Sequence, residues 1–396
     1  MPAVVTLHEG REKSLLRHHP WIFSKAVASC DENLKKGEVI KVVSSKGEFL
    51  CWGCLSPASQ IRVRALSFKE DIVPDDVLIE TRIHDAIARR RKMMAAGNDG
   101  VRLVASEGDL LPGLICDKYN EYLVISISSC AMEHFKDAVV KALHEDFPEA
   151  SIYERSDTKS RTKEGLDEHC GVILGKEPPK TIYVKEGNAV FIPVDITTGH
   201  KTGAYLDQRA SRIYASYLSK NARVLNCFSY TGGFGLWCLK GGAKRVENVD
   251  VSRQALDEAK QGVVFNHLDP GRCRFIKEDV FAFLREQVEK GEKYDLVILD
   301  PPKFAESAAN LRRACRGYQD IMRLGFSLLN KGGNLLAFSC SGLVGPELFQ
   351  KLAADAALDA GVDAVIRHTL RQDSDHVVSL PCPESFYLKG LHCEVI

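Results

Sequence analysis

Three stretches of this 396-residue chain carry residues whose type and spacing could do chemistry. Cys340 lies in Phe338-Ser339-Cys340-Ser341-Gly342, just past the apolar run that begins at Asn334. A thiol among small polar residues at a strand end suits an accessible nucleophile. A small residue ending a strand is the plainer alternative. Asp300 closes the buried run Leu296-Val297-Ile298-Leu299 and is followed by Pro301-Pro302-Lys303. Pro301 forces Asp300 into an extended conformation and the two prolines fix the chain beyond it, so a carboxylate is held stiffly at the strand end. An ordinary strand-ending turn would look the same. The third stretch, Asn226-Cys227-Phe228-Ser229-Tyr230-Thr231-Gly232-Gly233, runs from a strand through a glycine turn into a helix. Eighteen residues after Gly232, a second strand ends at Asp250, and a third ends near Asp279.

A strand, a glycine turn and an acid at the next strand tip suit an adenosine-containing cofactor, with Asp250 accepting from ribose hydroxyls and Asp279 meeting the adenine amino group. The turn lacks both G-x-G-x-x-G and G-x-x-x-x-G-K-[ST], which weakens a nicotinamide or P-loop reading. S-adenosylmethionine (SAM), which has no phosphates, fits better. Gly232 and Gly233 would let the backbone approach the ligand closely. A plain turn for the glycines, and helix N-caps for Asp250 and Asp279, are the competing readings. The Asp300-Pro301-Pro302 element fits a nucleobase methyltransferase, where a carboxylate and backbone carbonyls orient a flipped-out base.

The elements that must position these residues form three regions. Residues 1–72 hold short apolar stretches broken by Gly37, Gly47, Gly53 and Pro57, the pattern of a small β-barrel. Residues 73–192 open with a helix over 75–96 and continue as a mixed β/α region with a second helix over 132–145. From 193 to 396 strands and helices alternate, which implies an α/β doubly wound parallel sheet binding ligands outside the carboxyl ends of its strands. Lys+Arg and Asp+Glu both number 53, so a uniformly basic coat is excluded and a local basic face is not. No apolar run approaches the length of a membrane span, and residues 1–10 lack a signal-peptide core. Thirteen cysteines, an odd number with several in apolar runs, read as reduced core thiols of a cytoplasmic protein. Cys227, Cys238, Cys315, Cys382 and the lone pair Cys51-x-x-Cys54 are taken as structural, with no metal expected.

The 226–234, 300–304 and 338–342 segments resemble the motifs of class I RNA methyltransferases. With Gly10-Arg11-Glu12-Lys13, His19-Pro20-Trp21, Ser56-Pro57-Ala58-Ser59-Gln60, Tyr153-Glu154-Arg155, Gly199-His200-Lys201 and Tyr205-Leu206-Asp207-Gln208-Arg209, the whole chain is similar to the RlmI-type large-subunit ribosomal RNA (cytosine-C5)-methyltransferase family. The resemblance implies an N-terminal PUA domain, a central β/α domain, a C-terminal Rossmann-like methyltransferase, SAM as donor and a cytoplasmic location. It implies 23S rRNA as partner and no membrane; homodimerisation stays open. It also implies a cofactor site including Gln208, Arg209, Asn226, Phe228, Tyr230, Thr231, Gly232, Asp250, Asp279 and Asp300.

Cytosine C5 is a weak nucleophile, so a thiolate would add at C6 and a base would later remove the C5 proton. Cys340 is the expected nucleophile. Lys303 stands after Pro302 where many RNA 5-methylcytosine enzymes carry a second cysteine. That single-cysteine arrangement resembles RNA 5-methyluridine enzymes and makes Glu384 the analogous base, with a surface acid as its alternative. Pro301 and Lys303 would face the target base, and Arg11 and Lys13 would grip phosphate. The basic runs 82–92, 155–163 and 201–212 could contact RNA or be solvated faces. Methylation of uridine C5 or a guanine nitrogen, and a non-catalytic rRNA-binding assembly role, are the rival functions.

Overall fold

The structure, a computed structural model, describes residues 3–31, 34–305 and 307–396. The chain divides into two compact units. The first comprises Met1–Ile182, Asp195–Ala204 and Ser374–Ser385; the second comprises Tyr183–Val194, Tyr205–Asp373 and Phe386–Ile396.

In the first unit, six short strands between Val4 and Ser67 form one sheet, antiparallel except where Val4–Leu7 runs parallel to Val39–Val43. Val5, Leu7, Ile40, Val42, Cys51 and Val63 fill its core with no exposed surface. The helix expected over 75–96 spans Asp76–Ala95. Asp75 caps it by accepting from the Leu78 N–H at 2.9 Å, and Gly97 follows at φ +84°. The helix expected over 132–145 is two helices, Cys130–His134 and Lys136–Asp146, broken at Phe135, whose ring is buried. A five-stranded sheet completes this unit.

Exposed members of the basic runs, such as Arg89, Arg91, Lys159 and Lys163, fit either reading, whereas several of the arginines are buried. Arg90 is 2% exposed and grips Asp109 through two bonds of 2.6 and 2.7 Å. Arg155 and Arg161 are also buried, donating to the carbonyls of Ile196 and Gly199 and to that of Ile127. These guanidiniums are internal struts, a use that their planar array of donors favours.

In the second unit, seven strands form one sheet: β1 (Arg223–Cys227), β2 (Arg245–Asp250), β3 (Cys273–Lys277), β4 (Tyr294–Leu299), β5 (Leu329–Ser339), β6 (Ala364–Arg371) and β7 (Lys389–Val395). Their order is β3-β2-β1-β4-β5-β7-β6. The first five are parallel, as expected; β7 lies antiparallel between β5 and β6. Neighbouring residues feed opposite cores, Leu225, Val297 and Leu335 on one face, Val224, Leu296 and Leu336 on the other, as the two-residue strand period requires. Helices α1 (Arg209–Tyr217), α2 (Gly233–Lys240), α3 (Arg253–Phe265), α4 (Val280–Glu289), α5 (Leu311–Ser327) and α6 (Pro346–Asp359) accompany the strands. A hairpin of Ile182–Glu186 and Val190–Val194 joins α2 and α3, anchored where Glu186 accepts from Arg212 and from the Trp237 indole N–H. Among the described residues, no helix is long and apolar enough to cross a membrane.

Candidate active site

The parallel strands deliver the singled-out residues to one sheet edge. After β1, three of five residues take left-handed backbone: Phe228 (φ +56°), Tyr230 (φ +46°) and Gly232 (φ +77°). Left-handed aromatic residues are uncommon, and strain of this kind collects at ligand sites. Asp250 holds the loop in place. One carboxylate oxygen accepts from the Tyr230 N–H and the other from the Ser252 N–H, both at 2.8 Å. Ser252, not Asp250, caps α3 by accepting from the Ala255 N–H. Asp279 does cap its helix, accepting from the Ala282 N–H at 3.0 Å.

The glycines serve protein packing. A Cβ on Gly232 would meet the Ala259 Cβ at 2.8 Å, and one on Gly233 would meet the Arg212 Cδ at 2.8 Å. Gly235, not singled out from the sequence, does the same, since a Cβ there would run into the Asn248 Oδ1. The absent side chains thus bring α2 close to its neighbours.

Several cofactor candidates sit deep. Asn226 is 1% exposed and donates to the Asn248 Oδ1 at 2.8 Å. Arg209 is 2% exposed and donates to Asp373 at 2.7 Å. Thr231 is buried with its hydroxyl on the Pro193 carbonyl. Phe228 packs on the core beneath the loop. Gln208 donates to the Asp300 Oδ1 at 3.0 Å, joining α1's approach to the end of β4. Among the described residues, the Gln208 Oε1, Asn226 Oδ1 and Ser229 Oγ are buried without a hydrogen-bond partner. Such unsatisfied atoms around a strained loop fit a site built for a polar ligand.

Cys340 follows β5 and is partly buried. Its loop is tightly braced. The Ser341 hydroxyl accepts from the Ala305 N–H at 3.3 Å, tying the segment after Asp300 to the segment holding Cys340. The Tyr318 hydroxyl bonds both Ser339 and Ser341. Pro301 is buried and Lys303 exposed. Two residues that were not singled out join this group. Burial pushes the Tyr205 phenol well up, reinforced by the charges of Asp300, Tyr230, Asp207 and Cys340, so Tyr205 stays a neutral hydroxyl there. Lys389, on β7, is 6% exposed and donates to the carbonyls of Ser341 (2.7 Å) and Tyr387 (2.8 Å). A lysine directly after the apolar Phe386-Tyr387-Leu388 was the legible signal for it.

Glu384 belongs to the first unit, where it accepts from the His19 Nε2 at 3.2 Å and from the Cys382 Sγ at 3.5 Å. Burial would raise its carboxyl, but its own backbone N–H and His19 outweigh that and hold it below the usual range. The His19 Nδ1 accepts from the Trp21 N–H, which places the ring proton on Nε2 and makes this trio a hydrogen-bonded cluster, not a ready ligand set. Arg11 and Lys13 are exposed, Arg11 beside a hollow of about 170 Å³ lined also by Trp21, Phe23 and Lys25. Cys51, Cys54 and Cys227 are buried with thiols pushed far up by burial; Cys238 and Cys382 are pushed up to about 12, by burial first.

The family described as S-adenosylmethionine-dependent methyltransferase matches residues 157–371, and a PUA-like domain matches 5–68. A protein of Tolumonas auensis named ribosomal RNA large subunit methyltransferase I is 50% identical over 392 residues, 99% of both chains. One of Vibrio cholerae with the same name is 49% identical over 399 residues, covering both chains fully. The chain belongs to the ribosomal RNA large subunit methyltransferase I family. Among solved structures, a SAM-dependent methyltransferase from Streptococcus mutans shares the fold at a TM-score of 0.85 and 22% identity, over 99% of this chain and 100% of the other. SMU.776, a methyltransferase complexed with SAH, matches with the same score and identity over 99% of each chain. Members of this family use SAM, and this chain is a SAM-dependent methyltransferase with an N-terminal PUA-like domain.

Asp250 is the residue on which the loop's backbone depends. Asp250→Ala is expected to weaken SAM binding about ten- to a hundredfold, corresponding to the ~1.5–3 kcal/mol of a charged hydrogen-bond acceptor. Calorimetric titration checks this, and unchanged affinity would remove Asp250 from the site.

Proposed function

We propose that the protein methylates C5 of a cytosine in 23S rRNA, through a covalent bond between Cys340 and C6, in the cytoplasm where that RNA is made. The observation that carries the reading is the braced placement of a partly buried thiol and a prolyl-locked carboxylate at neighbouring strand ends, tied by the Ala305-to-Ser341 bond. The names of the family's relatives support ribosomal RNA as substrate. Methylation at a guanine nitrogen would need no thiol, and a non-catalytic role would need neither the strained loop nor the braced cysteine.

When bound, SAM supplies an electrophilic methyl group, which C5 takes as the sulfonium leaves as a thioether. The chain's residues prepare C5 for this. The Cys340 thiolate forms the S–C6 bond, and the C5–C6 π pair moves toward C5 and the ring nitrogen. Asp300, kept in place by Gln208 and by Pro301, orients the base, with Lys303 beside it. A base then takes the C5 proton, C5–C6 re-forms, and the S–C6 bond breaks to return the thiolate. Glu384 is the candidate for that base; its lowered pKa keeps it ionised and ready to accept, at the cost of intrinsic basicity. The target must be unstacked to be reached, so a loop or single-stranded segment is the economical substrate.

Arg11 and Lys13 in the PUA-like domain serve RNA docking in this reading. Arg11→Glu with Lys13→Glu should weaken binding of a 23S rRNA transcript and lower the salt slope by about 2, with SAM affinity unchanged. An unaltered slope would remove these two residues from the interface. For the reaction itself, Cys340→Ala should bind SAM normally and leave 5-methylcytosine undetectable when nucleosides of treated 23S rRNA are resolved by mass spectrometry. Product found as 5-methyluridine or a methylguanine would overturn the cytosine assignment.

A further inference from the structure

Lys389 carries a buried side-chain nitrogen. It reaches two backbone carbonyls, those of Ser341 and Tyr387, and among the described residues it pairs with no carboxylate. A lone buried charge is costly, and a lysine in such a place either gives up its proton or finds a partner. The β5–β7 register sets Lys389 directly opposite Ser339, one residue before Cys340. Its side chain therefore bonds the backbone on the far side of Cys340, at Ser341. Two hydrogens on its nitrogen are used by carbonyls, one of them that of Ser341 next to Cys340, and a third position remains on nitrogen within the field of Cys340.

We propose that Lys389 is the counter-ion of the Cys340 thiolate, a positioning and activating residue for that nucleophile; this rests on the reading of Cys340 as the reactive group. The step is a proton transfer. The Sγ–H bond of Cys340 breaks and the proton joins Nζ as its third hydrogen. A neutral thiol and amine become a thiolate–ammonium pair with no change in net charge. The carbonyls of Ser341 and Tyr387 hold the ammonium so that its charge stays beside the sulfur through attack on C6, and remains there when the thiolate is released. Burial draws the Lys389 amine below its ordinary range, the Cys340 charge opposes this, and Lys303 adds to it, so the amine can serve as the proton's acceptor. Among the described residues, the phenols of Tyr205 and Tyr318 also face Cys340, both pushed up, by burial first, and so neutral, and the Asp300 carboxylate acts on the same Tyr205 phenol.

The test needs no RNA. The full chain is alkylated with iodoacetamide across pH 6 to 10, and each cysteine peptide is quantified by mass spectrometry, with exposed Cys30 and Cys170 as internal references. In the wild type, Cys340 should titrate below both references, whose own thiols are pushed up by burial and by Asp31 and Asp157, and also below free glutathione alkylated in parallel. Lys389→Met should raise its midpoint by at least about one pH unit, cutting alkylation at pH 7 roughly tenfold. Lys389→Arg should restore most of the shift, since it keeps the charge. Retained binding of S-adenosylhomocysteine certifies the variant fold. A wild-type Cys340 that titrates with or above the references overturns the proposal even if Lys389→Met does not fold, as does an unmoved midpoint in a folded Lys389→Met. Failure of the cytosine reading would appear in the methylated nucleoside and leave these midpoints untouched.

Discussion

The antiparallel register of β7 against β5 is the constraint on which the site depends. Ser339 pairs with Lys389 and Phe338 with Gly390. A slip by one residue would turn Lys389 to the opposite face of the sheet and bring an apolar neighbour to the sulfur. Gly390 helps fix this register, because a Cβ there would meet the Phe338 ring at 2.6 Å. The same pairing joins the chain's last strand to the loop that carries Cys340. The Lys389 backbone is thus anchored by the sheet.

Around that pair, parallel strands do the rest. β1, β4 and β5 lie side by side, so the loops leaving them open on one edge. Each loop is fixed by a different device. Asp250 fixes the strained turn after β1 by accepting from Tyr230; prolines and Gln208 fix Asp300 after β4; Tyr318, Ala305 and Lys389 fix the Cys340 segment after β5. Bonds between loops, rather than within them, make the edge one rigid constellation. Preorganisation of that kind lets a site bring a weak nucleophile such as cytosine C5 to reaction.

Much of this was legible in the sequence, and what was not has physical reasons. β1 and β4 were readable as short, mostly apolar runs buried on both faces, and β5 as the apolar run after Asn334; β2 carries Glu247 and Asn248 and the edge strand β3 exposes Arg274 and Lys277, so those two were legible from their alternation with helices. β6 was missed because it is an edge strand with mostly exposed side chains and no clear alternation. The helix over 132–145 read as one because its apolar periodicity continues through Phe135, where the backbone breaks. The glycine pair was read as a turn before a helix, which is where it lies, but its packing against Ala259 and Arg212 was not legible, because spacing does not show which neighbours an absent side chain admits. The arginine-rich runs looked like surface because composition does not reveal a buried partner, and Asp109 is distant enough in sequence from Arg90 to hide one. Lys389 and Tyr205 were missed for a related reason. Their meaning lies in what a register and a fold bring beside them.

The central claim is that Cys340 bonds covalently to cytosine C6, and trapping that bond tests it most directly. In RNA carrying 5-fluorocytidine, C5 holds fluorine, which cannot leave as a proton does, so the final elimination stops. Incubation of such a 23S rRNA transcript with the protein and SAM should yield a stable adduct with a methylated base. Digestion and mass spectrometry should place the RNA on the peptide containing Cys340. An adduct on Cys315 or Cys382, or full turnover with no adduct at all, would contradict the account.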